Sequence, residues 1–537
     1  MNNCFKAFGV VLILFSSGNI SNAQINGNLQ LNANFFQRDS AIGASSNPLY
    51  DNLLSGGEGW LNLGYTHDNF TAGLRFDMFS NSNLHDPAKA YTDQGIGFWF
   101  LKMKTDKLTL TGGYFYDQFG SGIIYRSYED RGLGIDYATL GIRLQYELND
   151  NWSIRGFMGR EKHLFTQWKP NLKGACIDGN ISIGKNIQLL PGAGILNRTI
   201  DQASMDQIVG IINAMPDCND RFAPAYNVYA ATGYNTLSIK NISLYTEYAW
   251  KSEEAINNAT GNMINRSGSV FYSSLSYSKK GFGITLQGKR TENFVLRTSP
   301  NETLLNGVLD YIPSLTQQNA MRLLARYNPA TQYLGEMAME GDIVWTPWKG
   351  VTYSFNYSNV SDLNNTHLWT EFYGSMELKR IKNLKGTIGA QKIFYNENVY
   401  QFKTGLPDVS ALTPFVEFTY KLNKKQSIHF DFEYQNVHSD SIASETADKG
   451  SWMFALIEYS IAPHWSFAVS DMYNIKPNPA ITTDKNHYYN IFASYTRGAN
   501  RFTLAYVKQV DGVNCTGGVC RYEPAFSGIK FTLNSSF

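Results

Sequence analysis

Six charged side chains, Asp117, Arg126, Glu129, Asp130, Arg131 and Asp136, fall within twenty residues of one another, beside Tyr114, Tyr116, Tyr125, Tyr128 and Tyr137. Guanidinium groups clamp anionic oxygens in pairs of hydrogen bonds, and tyrosine rings stack on sugars or peptides. Tyr125, Arg126, Tyr128, Glu129, Asp130 and Arg131 are therefore candidate binding residues. The near balance of the two signs favours a second reading, a self-satisfied ion-pair network that fixes the loop. The glycines at 120, 122, 132 and 134 would then supply its bends.

Catalysis has little to build on. A hydrolase needs a nucleophile, a base and an orienting group close together. Here His67 and His464 sit in short turns, His429 sits within an alternating run, and His163, His367, His438 and His487 stand apart from any nucleophile motif. No glycine-rich phosphate loop follows a strand into a helix, and no acidic cluster has calcium-loop spacing. The chain is read as a non-enzyme that needs no cofactor and no metal.

Residues 1–23 carry Lys6, then the apolar run AFGVVLILF, then Ser21, Asn22 and Ala23. A basic start, a short apolar core and small residues at the end describe a cleaved export signal, with the mature chain beginning at Gln24. An exported chain with four remaining cysteines permits disulfides. Cys515 and Cys520 enclose only four residues and are expected to pair locally, leaving Cys176 with Cys218.

The elements that must position these residues alternate with period two. In residues 70–79, Phe70, Ala72, Leu74, Phe76 and Met78 share one face, and Thr71, Gly73, Arg75 and Asp77 share the other. In residues 427–434, Ile428, Phe430, Phe432 and Tyr434 oppose His429, Asp431 and Glu433. Runs of this kind are long enough for a tilted strand to cross a bilayer. Net charge is +1, which offers no surface for nucleic acid, while the 14% of aromatic residues suits the girdles of an outer-membrane barrel.

Connection lengths alternate as well. Eleven tight turns, at residues 67–69, 105–107, 149–151, 184–186, 240–241, 279–281, 348–350, 381–383, 423–425, 462–464 and 498–500, are separated by longer connections. Short periplasmic turns and long external loops are the pattern of a transmembrane antiparallel β-barrel. Eleven turns join twenty-two strands, and an opening run from Leu29 with a closing run that ends on Phe537 raises the expectation to about 24, within 22–26. A terminal aromatic resembles the sorting signal by which such barrels are recognised. Residues 24–537 are then a single barrel domain.

A barrel this wide needs its lumen filled, and few residues precede the first strand. Two long connections are the candidates for plug or cap, 198–227 and 292–335. In the first, Ser204 and Gln207 match a capping box ahead of Met205, Ile208, Val209 and Ile212. In the second, Ser314 and Gln317 precede Ala320, Leu323, Leu324 and Tyr327, so each reads as a short amphipathic helix.

The segments GGYFYDQFGSGIIYRSYEDRGLGID (112–136) and DYIPSLTQQNAMRLLARYNPATQYLGEMAMEGD (310–342) resemble an uncharacterised family of outer-membrane β-barrels of Bacteroidota, classed as a domain of unknown function. The resemblance implies export and a barrel, and implies no substrate. Two functions stay open: a porin-like channel narrowed by its own loops, and a non-conducting scaffold or accessory subunit of an outer-membrane secretion or protein-assembly complex. Partners expected are outer-membrane lipid and envelope-complex proteins, with no nucleic acid.

Overall fold

The computed structural model describes residues 24–401, 405–439, 448–478, 485–516 and 519–537. The chain forms one antiparallel sheet that closes on itself, the opening strand Gln24–Phe36 pairing with the closing strand Phe526–Ser536 from Asn28↔Ser536 to Phe36↔Gly528. The sheet contains 26 segments. Thr166–Gln167 is a two-residue ribbon at the rim, and Ile181–Ile183 continues the crossing begun by Asn171–Gly179, so twenty-four strands cross. Closure leaves the sheet without an open edge, and in lipid a sheet must close to satisfy every backbone group.

All eleven tight turns fall between paired strands at one end of the barrel, as at Asp68 and Asn69 between Ser55–His67 and Phe70–Ser82. The alternation of faces also holds. Arg75 and Asp77 are buried inside, while Phe70, Leu74, Phe76 and Met78 are exposed on the exterior. Asp431 and Glu433 are likewise buried, and Tyr434 is exposed. Around the outside, Leu101, Leu144, Ile195, Phe271, Leu286, Phe355, Ile457 and Leu504 form an apolar band. Trp345, Trp348, Tyr420 and Trp465 border it toward the short turns, and Tyr229, Tyr248 and Trp250 toward the long loops. Such a band with aromatic borders is the lipid-facing surface of a transmembrane barrel.

The largest apolar core lies within the ring of strands. Phe119, Ile123, Ile124 and Tyr125 of the connection 116–138 pack with Phe294, Leu296, Leu309 and Ile312 of the connection 293–334, and both meet inward residues such as Phe157, Leu172, Leu196 and Val270. The two connections are joined by backbone hydrogen bonds, Arg126 N–H to the Leu309 carbonyl at 2.9 Å and Tyr311 N–H to the Gly122 carbonyl at 3.0 Å. Farther along, Leu315 and Tyr327 pack on Ala338, Val360, Trp369 and Ile393. The N–H groups of Arg322 and Leu323 then donate to the Glu433 carboxylate at 2.8 and 2.6 Å. Residues 293–334 leave the strand Phe282–Glu292, reach the strand Gln426–Ser439 and return to Gly335–Trp348, thereby traversing the interior.

Four expectations are corrected. Residues 314–327 form turns and irregular backbone rather than a helix, because the N–H groups of Arg322 and Leu323 bond across the lumen instead of to the preceding turn. The helix of the other connection exists, Gln202–Asn213, but Asp201 caps it, accepting from Ala203 and Ser204 N–H groups at 3.1 and 3.2 Å. One of the longer connections expected between tight turns, residues 251–266, is a hairpin more than a loop, with Ile242–Asn257 and Met263–Lys279 paired almost to their tips. Cys176 and Cys218 are free thiols. Cys176 faces inward beside Asp178 in the strand Asn171–Gly179, five register positions below Asn171, whereas Cys218 is exposed in a turn past the helix. The helix faces Ala255 and Met263 through Met205, Ile208 and Ile212, which holds Cys218 away from the inner wall. At the remaining pair, the backbone sets Cys515 opposite Cys520, and their side chains lie outside the described residues.

Candidate functional site

The charged connection runs into the barrel at residues 119–125 and returns to its long-loop mouth at 129–136. Gly122 at φ +102° and Gly134 at φ +71° make the bends; a side chain on Gly134 would approach the Leu84 carbonyl to 2.7 Å. Glu129–Asp130 and Ile135–Asp136 pair as a two-residue ribbon, so Glu129 and Asp136 face each other across it.

Arg75, 3% exposed on the inner face of the strand Phe70–Ser82, is the centre on which the ribbon is assembled. Its guanidinium donates to Asp77 at 2.6 and 2.8 Å, to Glu129 at 2.8 Å and to Asp136 at 2.6 Å. Lys162 adds a second cation to Asp136. Burial alone would raise the Asp136 pKa, but Lys162 and Arg75 outweigh it and hold the carboxyl below the usual carboxylate range. Deeper down, Asp117 receives Arg143 and Arg155. These bonds form the ion-pair network that the balance of signs favoured.

The six candidate binding residues do not converge on one spot. Tyr125 is fully buried, stacked on Phe157 with centroids 4.5 Å apart and hydrogen-bonded to Thr139 Oγ1 at 2.7 Å, so it is core. Arg126 lies between the rings of Tyr128 and Tyr311, 4.4 and 3.9 Å from their centroids. Tyr128 also packs edge-on against Tyr137. Asp130 accepts the Leu133 N–H at 3.1 Å and serves the turn. Glu129 and Arg131 remain together: Arg131 donates to Glu129 at 2.7 Å and to Gln30 at 2.9 Å, and its guanidinium lies 5.0 Å from the Trp60 ring.

Glu129, Arg131 and Asp136 line a cavity of about 230 Å³ at the long-loop end. Its other walls are Trp60, Arg75, Asp77 and Phe79 on the first strands, Glu161, Lys162 and Trp168 at the end of the strand Trp152–His163 and just beyond, the loop tip 304–307, and Arg521. Sequence reading missed Glu161, Lys162 and Trp168, although Glu161 and Lys162 end an alternating strand at the same rim. Arg75 and Asp77 share one face of their strand in the sequence pattern, which carries no sign of their partners in the loop. The cavity sets aromatic and charged walls side by side. Among the described residues no group of three or more histidine, cysteine or acidic side chains has a metal-binding arrangement.

The full length of the chain, residues 1–537, matches one family. The protein belongs to the Family of unknown function (DUF6029). No curated protein is detectably similar in sequence. Solved structures with a similar chain course include the ferric enterobactin receptor PfeA of Pseudomonas aeruginosa, at 11% identity over 96% of this chain and 82% of that one, with a TM-score of 0.44. They also include the ferric citrate transporter FecA, at 9% identity over 96% and 78% with a TM-score of 0.43. The outer membrane transporter YddB of Escherichia coli follows at 8% identity over 95% and 81%, with a TM-score of 0.41.

Proposed function

We propose that this outer-membrane barrel is a porin-like channel for small solutes, held narrow by its own connections 116–138 and 293–334. The observation that carries the reading is the way 293–334 is fastened on the far side of the lumen. Its polar contacts there run from Glu433 to two backbone N–H groups, from Gln435 to the Leu323 carbonyl at 2.9 Å, and from Arg326 to Asp448 at 2.9 Å and Gln435 at 2.9 Å, beside the apolar contact of Leu323 with Trp452 and Met472. Hydrogen bonds to a polar wall can be exchanged for bonds to water, so the segment can part from the wall at this end at the cost of exposing Leu323, Trp452 and Met472. Planar-bilayer recording tests the proposal: small, fluctuating conductance is expected, rising in Arg326→Ala, which loosens the far anchor. A folded barrel that stays silent in both forms refutes it.

One observation favours a non-conducting scaffold instead, the apolar packing between the two connections at Phe119, Ile124, Phe294 and Leu309. A permanently sealed barrel would present its long-loop rim to envelope partners, and extraction in mild detergent followed by pull-down would recover them. Export belongs to the same reading. Residues 1–23 lie outside the described residues, and N-terminal sequencing of the mature protein should begin at Gln24.

A further inference from the structure

We infer that the mouth cavity is a binding site for a small organic amine, with Glu161 as the counter-ion of its ammonium group. Beyond conduction, this claim concerns recognition at the rim and does not require the lumen to open.

Every other carboxylate of the cavity is already matched: Asp77, Glu129 and Asp136 each receive Arg75, and Asp136 also receives Lys162. Glu161 is the exception. It is 1% exposed and lines the cavity, and among the described residues neither Oε1 nor Oε2 accepts a hydrogen bond. Among the described residues no cation stands within ion-pair distance of it. Arg297, whose field reaches Glu161, donates its Nη1 instead to the Asn306 carbonyl at 2.8 Å.

A buried carboxyl group without a partner either keeps its proton or takes a donor from outside the chain, and only the second leaves it charged. An ammonium group carries three donors and the opposite charge, and so satisfies both oxygens at once. Trp60, Tyr137 and Trp168 also line the cavity, so an apolar or ring-shaped body can pack beside the cation. At about 230 Å³ the space is below the roughly 300–1,000 Å³ of drug-sized sites, which limits the ligand to a compact molecule. A neutral molecule of the same shape would leave Glu161 as it is, so selectivity for the charged form follows.

The test uses the full folded barrel in nanodiscs with tyramine as probe and 4-ethylphenol, the same ring without the ammonium, as control, read by isothermal titration. Saturable one-to-one binding of tyramine is expected, at least ten-fold weaker in Glu161→Gln, with none for 4-ethylphenol. Leu304→Trp supplies an independent variant, because Leu304 is 82% exposed at the cavity mouth and its enlargement narrows the entrance without touching the core. It too should weaken binding. Unaltered tyramine affinity in a correctly folded Glu161→Gln, equal uptake of both probes, or no binding at all would each overturn the inference. None of these outcomes depends on whether the barrel conducts.

Discussion

At the scale of single residues, Arg75 organises the mouth. Three carboxylates converge on a guanidinium that is almost wholly buried, so removing it leaves uncompensated charge inside the barrel. Breaking a buried pair of this kind costs about 3–5 kcal/mol. Arg75→Ala should therefore free residues 116–138, seen as accelerated proteolysis from the long-loop side, and Arg75→Lys should fail to rescue it because an ammonium cannot reproduce the fork. Asp310 makes a second case. It is buried in the connection 293–334 with Oδ2 lacking a hydrogen-bond partner, and desolvation pushes its pKa up to about 7. An acid whose folded pKa is raised favours the protonated folded state. Its contribution is fully present below about pH 4 and is lost as pH rises toward about 7. Protection of this connection from protease should accordingly fall between pH 4 and pH 7, and Asp310→Asn should flatten that dependence. The charged cluster itself was legible in the sequence, because six ionisable groups in twenty residues are conspicuous. Its partners were not: Arg75, Glu161 and Lys162 come from strands 40 or more positions upstream or 25 downstream, and only closure of the barrel brings them to the loop.

At the scale of elements, alternation is a local property and could be read directly, whereas the conformation of the long connections is set by what they touch. The helix Gln202–Asn213 has its own cap and an apolar stripe, and it forms. Residues 314–327 have the same spacing and do not form one. Leu323 turns toward Trp452 and Met472 while Tyr327 turns toward Tyr395, so the apolar residues serve different walls of the lumen. Competition from Glu433 for the backbone donors overrides helix propensity there. Two outcomes belong to this scale. Asp201→Ala should cost the helix about 1 kcal/mol and make residues 198–227 more sensitive to protease. Cys218 should react with an impermeant maleimide without prior reduction while Cys176 stays protected, and Cys218→Ser should leave proteolysis of that connection unchanged. Resistance of Cys218 to the reagent would restore the disulfide reading.

At the scale of the whole molecule, strand number followed from counting turns, and location from the apolar exterior. What fills the lumen did not follow, since filling depends on how two distant connections meet. The inner wall is also uneven in charge. Arg75, Arg143, Arg155 and Lys162 are paired with acids on one side. Across the lumen, Glu340, Asp342, Glu371 and Glu417 have only neutral or backbone partners, such as Asn356 at 2.8 Å from Glu340 and Gln391 at 2.7 Å from Glu371, and Asp431 stands beside Glu433. No described cation is within ion-pair distance of them. Acidic walls favour cations in a pore, so reversal potentials in a salt gradient should show cation preference, reduced in the combined Glu340→Gln, Asp342→Asn and Glu417→Gln variant.

The most direct measurement removes the traversing connection. Glu292 lies opposite Gly335 in the ladder, so an Asn-Gly turn can replace residues 293–334 without disturbing the strands on either side. Recorded in planar bilayers beside the intact protein, this variant should show large, steady, cation-preferring conductance where the full chain shows small and fluctuating steps. A correctly inserted variant that conducts no more than the intact barrel would contradict the account.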